Sequence, residues 1–180
     1  MNQSNTHIKN MIVAALMLAL AYVLPFFTGN IPQIGSMLLP MHLPVLLCGF
    51  LCGGPWGAAV GFAAPLMRSI HLGMPPMFPT AISMAFELAT YGFVVGYLYK
   101  RLPKHPAGLC FSLLGAMLCG RVVWGIVRAV LTLAGNSTFS FAAFIAGAFT
   151  SAIPGIALQL VIIPPIVLAV QKSGLRSTAA

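Results

Sequence analysis

Long apolar stretches, interrupted by very few charged side chains, dominate this sequence. Charged residues occupy 6% of its 180 positions and hydrophobic residues 59%, and Glu87 is the single acidic residue. A water-soluble domain carries about 25% charged residues, so this chain has too few to cover a surface that faces water. Apolar runs of about 20 residues are long enough to cross a bilayer as helices. We therefore expect an all-α integral membrane protein with one membrane domain over residues 1–180.

Pro, Gly and charged residues divide the apolar sequence into candidate membrane helices. Six segments result, at residues 9–27, 36–53, 56–71, 79–99, 107–133 and 141–171. Prolines interrupt the second and third segments, at Pro40, Pro44, Pro55 and Pro65. A helix broken at membrane depth is tolerated where neighbouring protein satisfies the backbone. We expect a six-helix bundle whose second and third segments are broken.

Basic residues in the flanking segments predict the orientation of the bundle. With six crossings and both termini inside, the cytoplasmic face carries Lys9, Lys100, Arg101, Lys104, Lys172 and Arg176. The linkers on the other face, residues 28–35, 72–78 and 134–140, contain no Lys or Arg. Five or seven crossings would place the termini on opposite sides of the membrane, and the flanking basic residues would then no longer all lie on one face. The formal charge of +8 is mostly a topological signal, because these bases form no stripe of the kind that binds nucleic acid.

Three ionisable residues are expected in or near the membrane, namely Glu87, Arg121 and Arg128. Charges inside a membrane are costly and mark functional sites by default. Tyr91 lies one helical turn after Glu87 on the fourth helix, and Trp124 lies between the two arginines on one face of the fifth. At 1.5 Å per residue, these two polar faces are expected to meet in the outer half of the bilayer.

One carboxylate facing two guanidinium groups leaves an excess of positive charge. Such a site suits a small anionic or zwitterionic solute, held by an arginine fork on its carboxylate. Asn136, in the outer loop, and Gln159, in the sixth helix, are further candidates for hydrogen bonds to that solute. The alternative is structural: Arg121 and Glu87 neutralise each other as a buried ion pair, and Arg128 extends to the lipid headgroups.

The sequence offers little for catalysis. A single acidic residue excludes an aspartyl dyad, no G-x-S-x-G motif accompanies the serines, and no G-x-x-x-x-G-K-[ST] motif is present for ATP hydrolysis. The four cysteines form no C-x-x-C pair, and His42 has no second His or carboxylate at ligand spacing. We expect no catalytic residue, no metal and no cofactor.

Several motifs together resemble one family of membrane proteins. They are residues 29–49 (GNIPQIGSMLLPMHLPVLLCG), 65–69 (PLMRS), 73–80 (GMPPMFPT) and 87–92 (ELATYG). With the chain length and the six expected spans, they are similar to the substrate-binding S components of energy-coupling factor (ECF) transporters.

The resemblance implies a subunit of the bacterial cell membrane that captures a vitamin or other micronutrient from outside. It implies partners as well: a membrane scaffold subunit and two ABC-type ATPases, which hydrolyse the ATP. Ala15 and Ala19 match the Ala-x-x-x-Ala by which the family contacts the scaffold. Asn30 and Gln33 fall in a loop that is expected to form part of a lid over the ligand.

These motifs indicate the family more specifically than they indicate the ligand. The motifs are most similar to pantothenate-type members, and the expected excess of positive charge is compatible with a monoanionic hydroxy-amide acid. Pyridoxine-type and queuosine-type members stay open, since Glu87 is also suited to a cationic amine. Alternatives to an S component are a stand-alone secondary carrier, a non-catalytic membrane subunit and, less favoured, an intramembrane enzyme.

Overall fold

The computed structural model describes residues 3–27, 39–103, 105–134 and 153–172. Within these ranges the regular structure is entirely helical. The helices are α1 (Gln3–Phe27), α2 (His42–Cys52), α3 (Gly54–Leu72), α4 (Ile82–Arg101), α5 (Pro106–Ala134) and α6 (Ile153–Lys172), with a π-helical turn (Met77–Ala81) immediately before α4.

The described helices follow the predicted segments in order, with two differences at their starts. α1 begins at Gln3, not at residue 9, because residues 4–8 contain no Pro or Gly to stop the helix. α2 begins at His42, because Leu39 has a positive φ of 51° and precedes Pro40, a position that disfavours helical backbone. Of the sixth predicted segment, residues 141–152 lie outside the described residues.

The predicted break within the third segment is wrong, because α3 continues without interruption through Pro65. The break lies instead at Gly53, between α2 and α3, where φ is 93°. Glycine adopts this backbone conformation readily because it has no Cβ. Pro44 and Pro55 stand in the first turns of α2 and α3, where a missing N–H removes no helical hydrogen bond.

Three stretches of the described helices are long and apolar enough to cross a membrane by themselves, namely Asn5–Phe27, Met77–Arg101 and Pro106–Ala134. Two apolar helices are shorter, at His42–Cys52 and Gly155–Gln171. An all-helical architecture, with helices long and apolar enough to cross a membrane, is thereby confirmed for the described residues.

Glycines allow α3 and α4 to pack with their backbones in contact. A Cβ added to Gly92 would overlap the backbone of Gly57, and one added to Gly61 would overlap the backbone of Leu88. Small residues have this role in membrane proteins, where close packing replaces the hydrophobic effect between helices. The contact fixes α4 against α3 and thereby sets the position of the polar residues on α4.

Two apolar clusters flank α4. One includes Tyr91 of α4, Leu46 of α2, Leu113 of α5 and Ile163 of α6. The other joins α1, α2 and α3 and includes Leu88 of α4. α4 and α2 contribute to both clusters and so form the centre of the described structure.

Replacement of Gly92 by Ala tests the close approach of α3 and α4. We expect Gly92→Ala to lower the stability of the protein by about 1–3 kcal/mol, the usual cost of overpacking, measured as thermal unfolding in detergent. Gly115→Ala is the matched control, because its added Cβ would meet only the flexible end of Leu98, at 2.8 Å. Equal stability of the two variants would contradict a backbone contact at Gly92.

Candidate functional site

Glu87 lies at the centre of a buried group of polar side chains. Its exposed fraction is 1%, and its Oε1 atom is 2.9 Å from Nη1 of Arg121 on α5. The Tyr91 hydroxyl donates a hydrogen bond of 3.2 Å to the same oxygen. Nε2 of His42, at the start of α2, is 3.8 Å from it. We call Glu87, Tyr91, Arg121 and His42 the polar cluster.

Local packing explains how these side chains meet. Glu87 and Tyr91 are four residues apart on α4 and therefore share one face. The Tyr91 ring lies against Gly120 of α5, where an added Cβ would overlap the ring. The His42 ring packs against Tyr91 as well, with the two ring centroids 5.3 Å apart. The glycine thus lets α5 come close enough for Arg121 to reach Glu87.

A second polar contact is formed by Arg128, seven residues after Arg121 on α5, and Thr80, seven residues before Glu87. Nη1 of Arg128 donates a 3.3 Å hydrogen bond to Oγ1 of Thr80, in the turn that precedes α4. The Arg128 guanidinium also lies 5.8 Å from the centroid of the Trp124 ring. Arg128 and Trp124 are half-buried, whereas Arg121 is only 6% exposed. The two arginines therefore occupy a deep and a shallow level of one helix face.

The structure contains the Arg121–Glu87 ion pair of the structural interpretation. The pair uses only Nη1 of Arg121, whereas Nε and Nη2 are buried without a hydrogen-bond partner among the described residues. Arg128, which the structural interpretation directs to the headgroups, donates to Thr80. A ligand-binding role for these residues stays a prediction.

Gln159 is a fully buried polar residue on α6. Its exposed fraction is 0%, and neither of its amide atoms has a hydrogen-bond partner among the described residues. It shares a helix face with Ile156 and Ile163, which pack in the apolar cluster that includes Tyr91. Buried polar atoms are nearly always hydrogen-bonded, so this amide is unusual for a purely structural residue.

His42 is the site residue that the sequence reasoning missed. From the sequence alone it is considered only as a metal ligand, yet it is 1% exposed and lies beside Glu87 and Tyr91. Within the described ranges, no group of three or more His, Cys, Asp or Glu side chains is arranged to hold a metal. The available signal was a histidine in an otherwise apolar, proline-rich stretch, but spacing along the chain could not place it against α4.

The other predicted residues fall into two groups. Asn30, Gln33 and Asn136 lie outside the described residues. Ala15 and Ala19 are both exposed, one turn apart on α1. Docking of a partner on this exposed surface stays a prediction.

The fold and the buried polar cluster are those of a membrane protein with an internal polar site. The family described as "ECF transporter, substrate-specific component" matches this chain over residues 9–167. The chain therefore belongs to the substrate-specific component family of ECF transporters, as the sequence resemblance implied. It is a component of membrane transport, in a family whose members bind substrate and are not enzymes. A search of curated proteins and a search of solved structures each found no match.

Removal of Arg121 tests the ion pair. We expect Arg121→Leu to destabilise the protein by about 3–5 kcal/mol, because the buried Glu87 carboxylate then has no counter-charge. The double variant Glu87→Gln with Arg121→Leu, which buries no charge, is expected to regain most of that loss in thermal unfolding.

Arg101→Leu is the control for the loss of an arginine. Arg101 is exposed and contacts the Tyr97 ring, so its replacement is expected to change stability by only about 0.5 kcal/mol. A double variant no more stable than Arg121→Leu alone would contradict the pairing.

Proposed function

We propose that this chain is the subunit that captures a small vitamin-like solute on the outer side of the bacterial cell membrane. The solute then passes inward with the help of a scaffold subunit and two ABC-type ATPases. Membership of the substrate-specific component family supports this role. The observation that supports a particular binding site is the polar cluster, where Arg121 and His42 have buried polar atoms without partners among the described residues, as Gln159 has on α6.

The proposed ligand-binding residues are those on the facing surfaces of α4, α5 and α6, together with residues of the loops beside them. They are Glu87, Tyr91, Arg121, Trp124, Arg128, Asn136, Gln159, Asn30 and Gln33. Support comes from the contact of Arg121 with Glu87 and from the seclusion of Gln159.

Pantothenate is our best candidate for the ligand. It is a monoanion with hydroxyl and amide groups, and both arginines of α5 lie on the face that meets α4. Pyridoxine-type and queuosine-type ligands are the alternatives. A cationic amine is less favoured, because the Glu87 carboxylate already has Arg121 as its counter-ion at 2.9 Å.

We propose six membrane crossings, with both termini inside. The position of the basic residues supports this count, and α2 and α3, joined at Gly53, would supply the second and third crossings. Docking on the scaffold is assigned to the exposed Ala15 and Ala19 of α1.

Reporter fusions test this topology. Green fluorescent protein fused after residue 103 or after residue 176 is expected to fluoresce, since both positions are inside. Alkaline phosphatase fused after residue 75 or residue 137 is expected to be active, since both are outside. A C-terminal fusion that is active only as the phosphatase would contradict six crossings.

Native mass spectrometry of the gently purified protein tests the proposed function. We expect a bound small molecule, with pantothenate as the best candidate, and co-purification of a scaffold subunit and ATPases under mild detergent. Uptake into vesicles is expected to require those partners and ATP. Full uptake by vesicles that contain this chain alone would establish a stand-alone carrier instead, and conversion of the solute without ATP would establish an enzyme.

A further inference from the structure

The polar cluster is already balanced in charge. Glu87 contributes one negative charge and Arg121 one positive charge, at 2.9 Å from each other. The formal charges of Glu87 and Arg121 therefore cancel. Burial of an unbalanced ion costs several kcal/mol even after relaxation. A second carboxylate beside Arg121 would leave the cluster with an unbalanced negative charge, so the deep level of the site favours an uncharged guest.

The deep level nevertheless lacks hydrogen-bond partners. Nε and Nη2 of Arg121 are donors without an acceptor among the described residues, and these atoms form one edge of the guanidinium group. Both ring nitrogens of His42 and both amide atoms of Gln159 are also buried without a hydrogen-bond partner among the described residues. α6, which carries Gln159, packs against α2 and α5, which carry the other two residues. Together these side chains call for a group that both donates and accepts hydrogen bonds, such as a hydroxyl or an amide.

The shallow level differs in charge. Arg128 is a half-buried cation on the same helix face as Arg121, and the structure gives it a neutral partner, the Thr80 hydroxyl. Within the described residues it has no carboxylate within ion-pair distance, because Glu87, the single acidic side chain, pairs with Arg121. An anionic group therefore gains most at Arg128, where it would balance an existing charge.

We propose that the solute binds in one orientation, with an uncharged hydroxyl or amide end between His42, Arg121 and Gln159 and its acidic group at Arg128. This proposal rests on the proposed function and makes its ligand more specific. The solute is a monoanion whose charged group and uncharged polar group lie at opposite ends. Seven residues separate the two arginines on α5, so these ends are about 10 Å apart. His42 thereby becomes a ligand-binding residue.

Replacement of Gln159 by Met tests the deep level without any ligand. If the Gln159 amide is hydrogen-bonded only when a solute is present, the substitution removes an unpaired buried polar group from the solute-free protein. The melting temperature of the solute-free protein is then expected to stay the same or to rise. Gln171→Met is the matched control on the same helix, because the Gln171 amide donates to the Tyr99 hydroxyl. The control is expected to melt at a lower temperature. A fall for Gln159→Met as large as for Gln171→Met would show that protein or water already holds the amide, and would overturn the proposal.

Two probes test the orientation: pantothenate, and pantothenol, in which a neutral hydroxymethyl group replaces the carboxylate. By calorimetry, Arg128→Gln is expected to weaken binding of pantothenate about 10- to 100-fold and that of pantothenol less than about threefold. Gln159→Met and His42→Phe are expected to weaken both probes equally, about tenfold. Arg101→Gln is the control and is expected to change neither.

These outcomes distinguish the proposed binding orientation from the proposed identity of the ligand. An equal effect of Arg128→Gln on both probes would place the carboxylate elsewhere and overturn the orientation. Failure of both probes to bind the unmodified protein would refute pantothenate as the ligand. The deep level would then be judged by the melting temperatures, which need no ligand: stability retained in Gln159→Met supports it, and stability lost refutes it.

Discussion

The high cost of a buried charge is the constraint on which this structure depends. Glu87 is the single acid of the chain and is 1% exposed, so it must be neutralised within the protein. Arg121 provides that charge from the neighbouring helix, and Tyr91 adds a hydrogen bond to the same oxygen. The ion pair therefore fixes how α5 lies on α4. It also makes the centre of the site neutral, which determines what kind of group a solute can place there.

Small residues make this arrangement possible. Gly57 and Gly92 bring the backbones of α3 and α4 into contact, and Gly120 makes room for the Tyr91 ring under α5. A larger residue at Gly120 would push α5 away from α4 and so move Arg121 away from Glu87. In lipid, apolar side chains gain little from contact with one another, so the close fit of the glycines provides much of the helix association. The packing of the glycines thus helps to position the polar side chains of the site.

Much of this was predictable from the sequence, because apolar run length and helical periodicity are local properties. They gave the order of the helices and the meeting of Glu87 with Arg121. The position of His42 was not predictable, because it depends on how α2 packs against α4. Pro65 was misjudged because a proline predicts a break only where the surrounding helix cannot absorb it. Sequence spacing could not decide whether Arg121 binds a ligand or forms an ion pair with Glu87. Spacing does not show which nitrogens of the guanidinium group already have hydrogen-bond partners.

A structure of the protein with its co-purified solute bound would test the central claim most directly, namely that a solute completes the hydrogen bonding of a charge-balanced site. We expect an uncharged end of the solute within hydrogen-bond distance of Arg121 and Gln159, with the Glu87–Arg121 pair still in place and the acidic group near Arg128. An acidic group that displaces Glu87 from Arg121, or a solute that touches neither Arg121 nor Gln159, would contradict it.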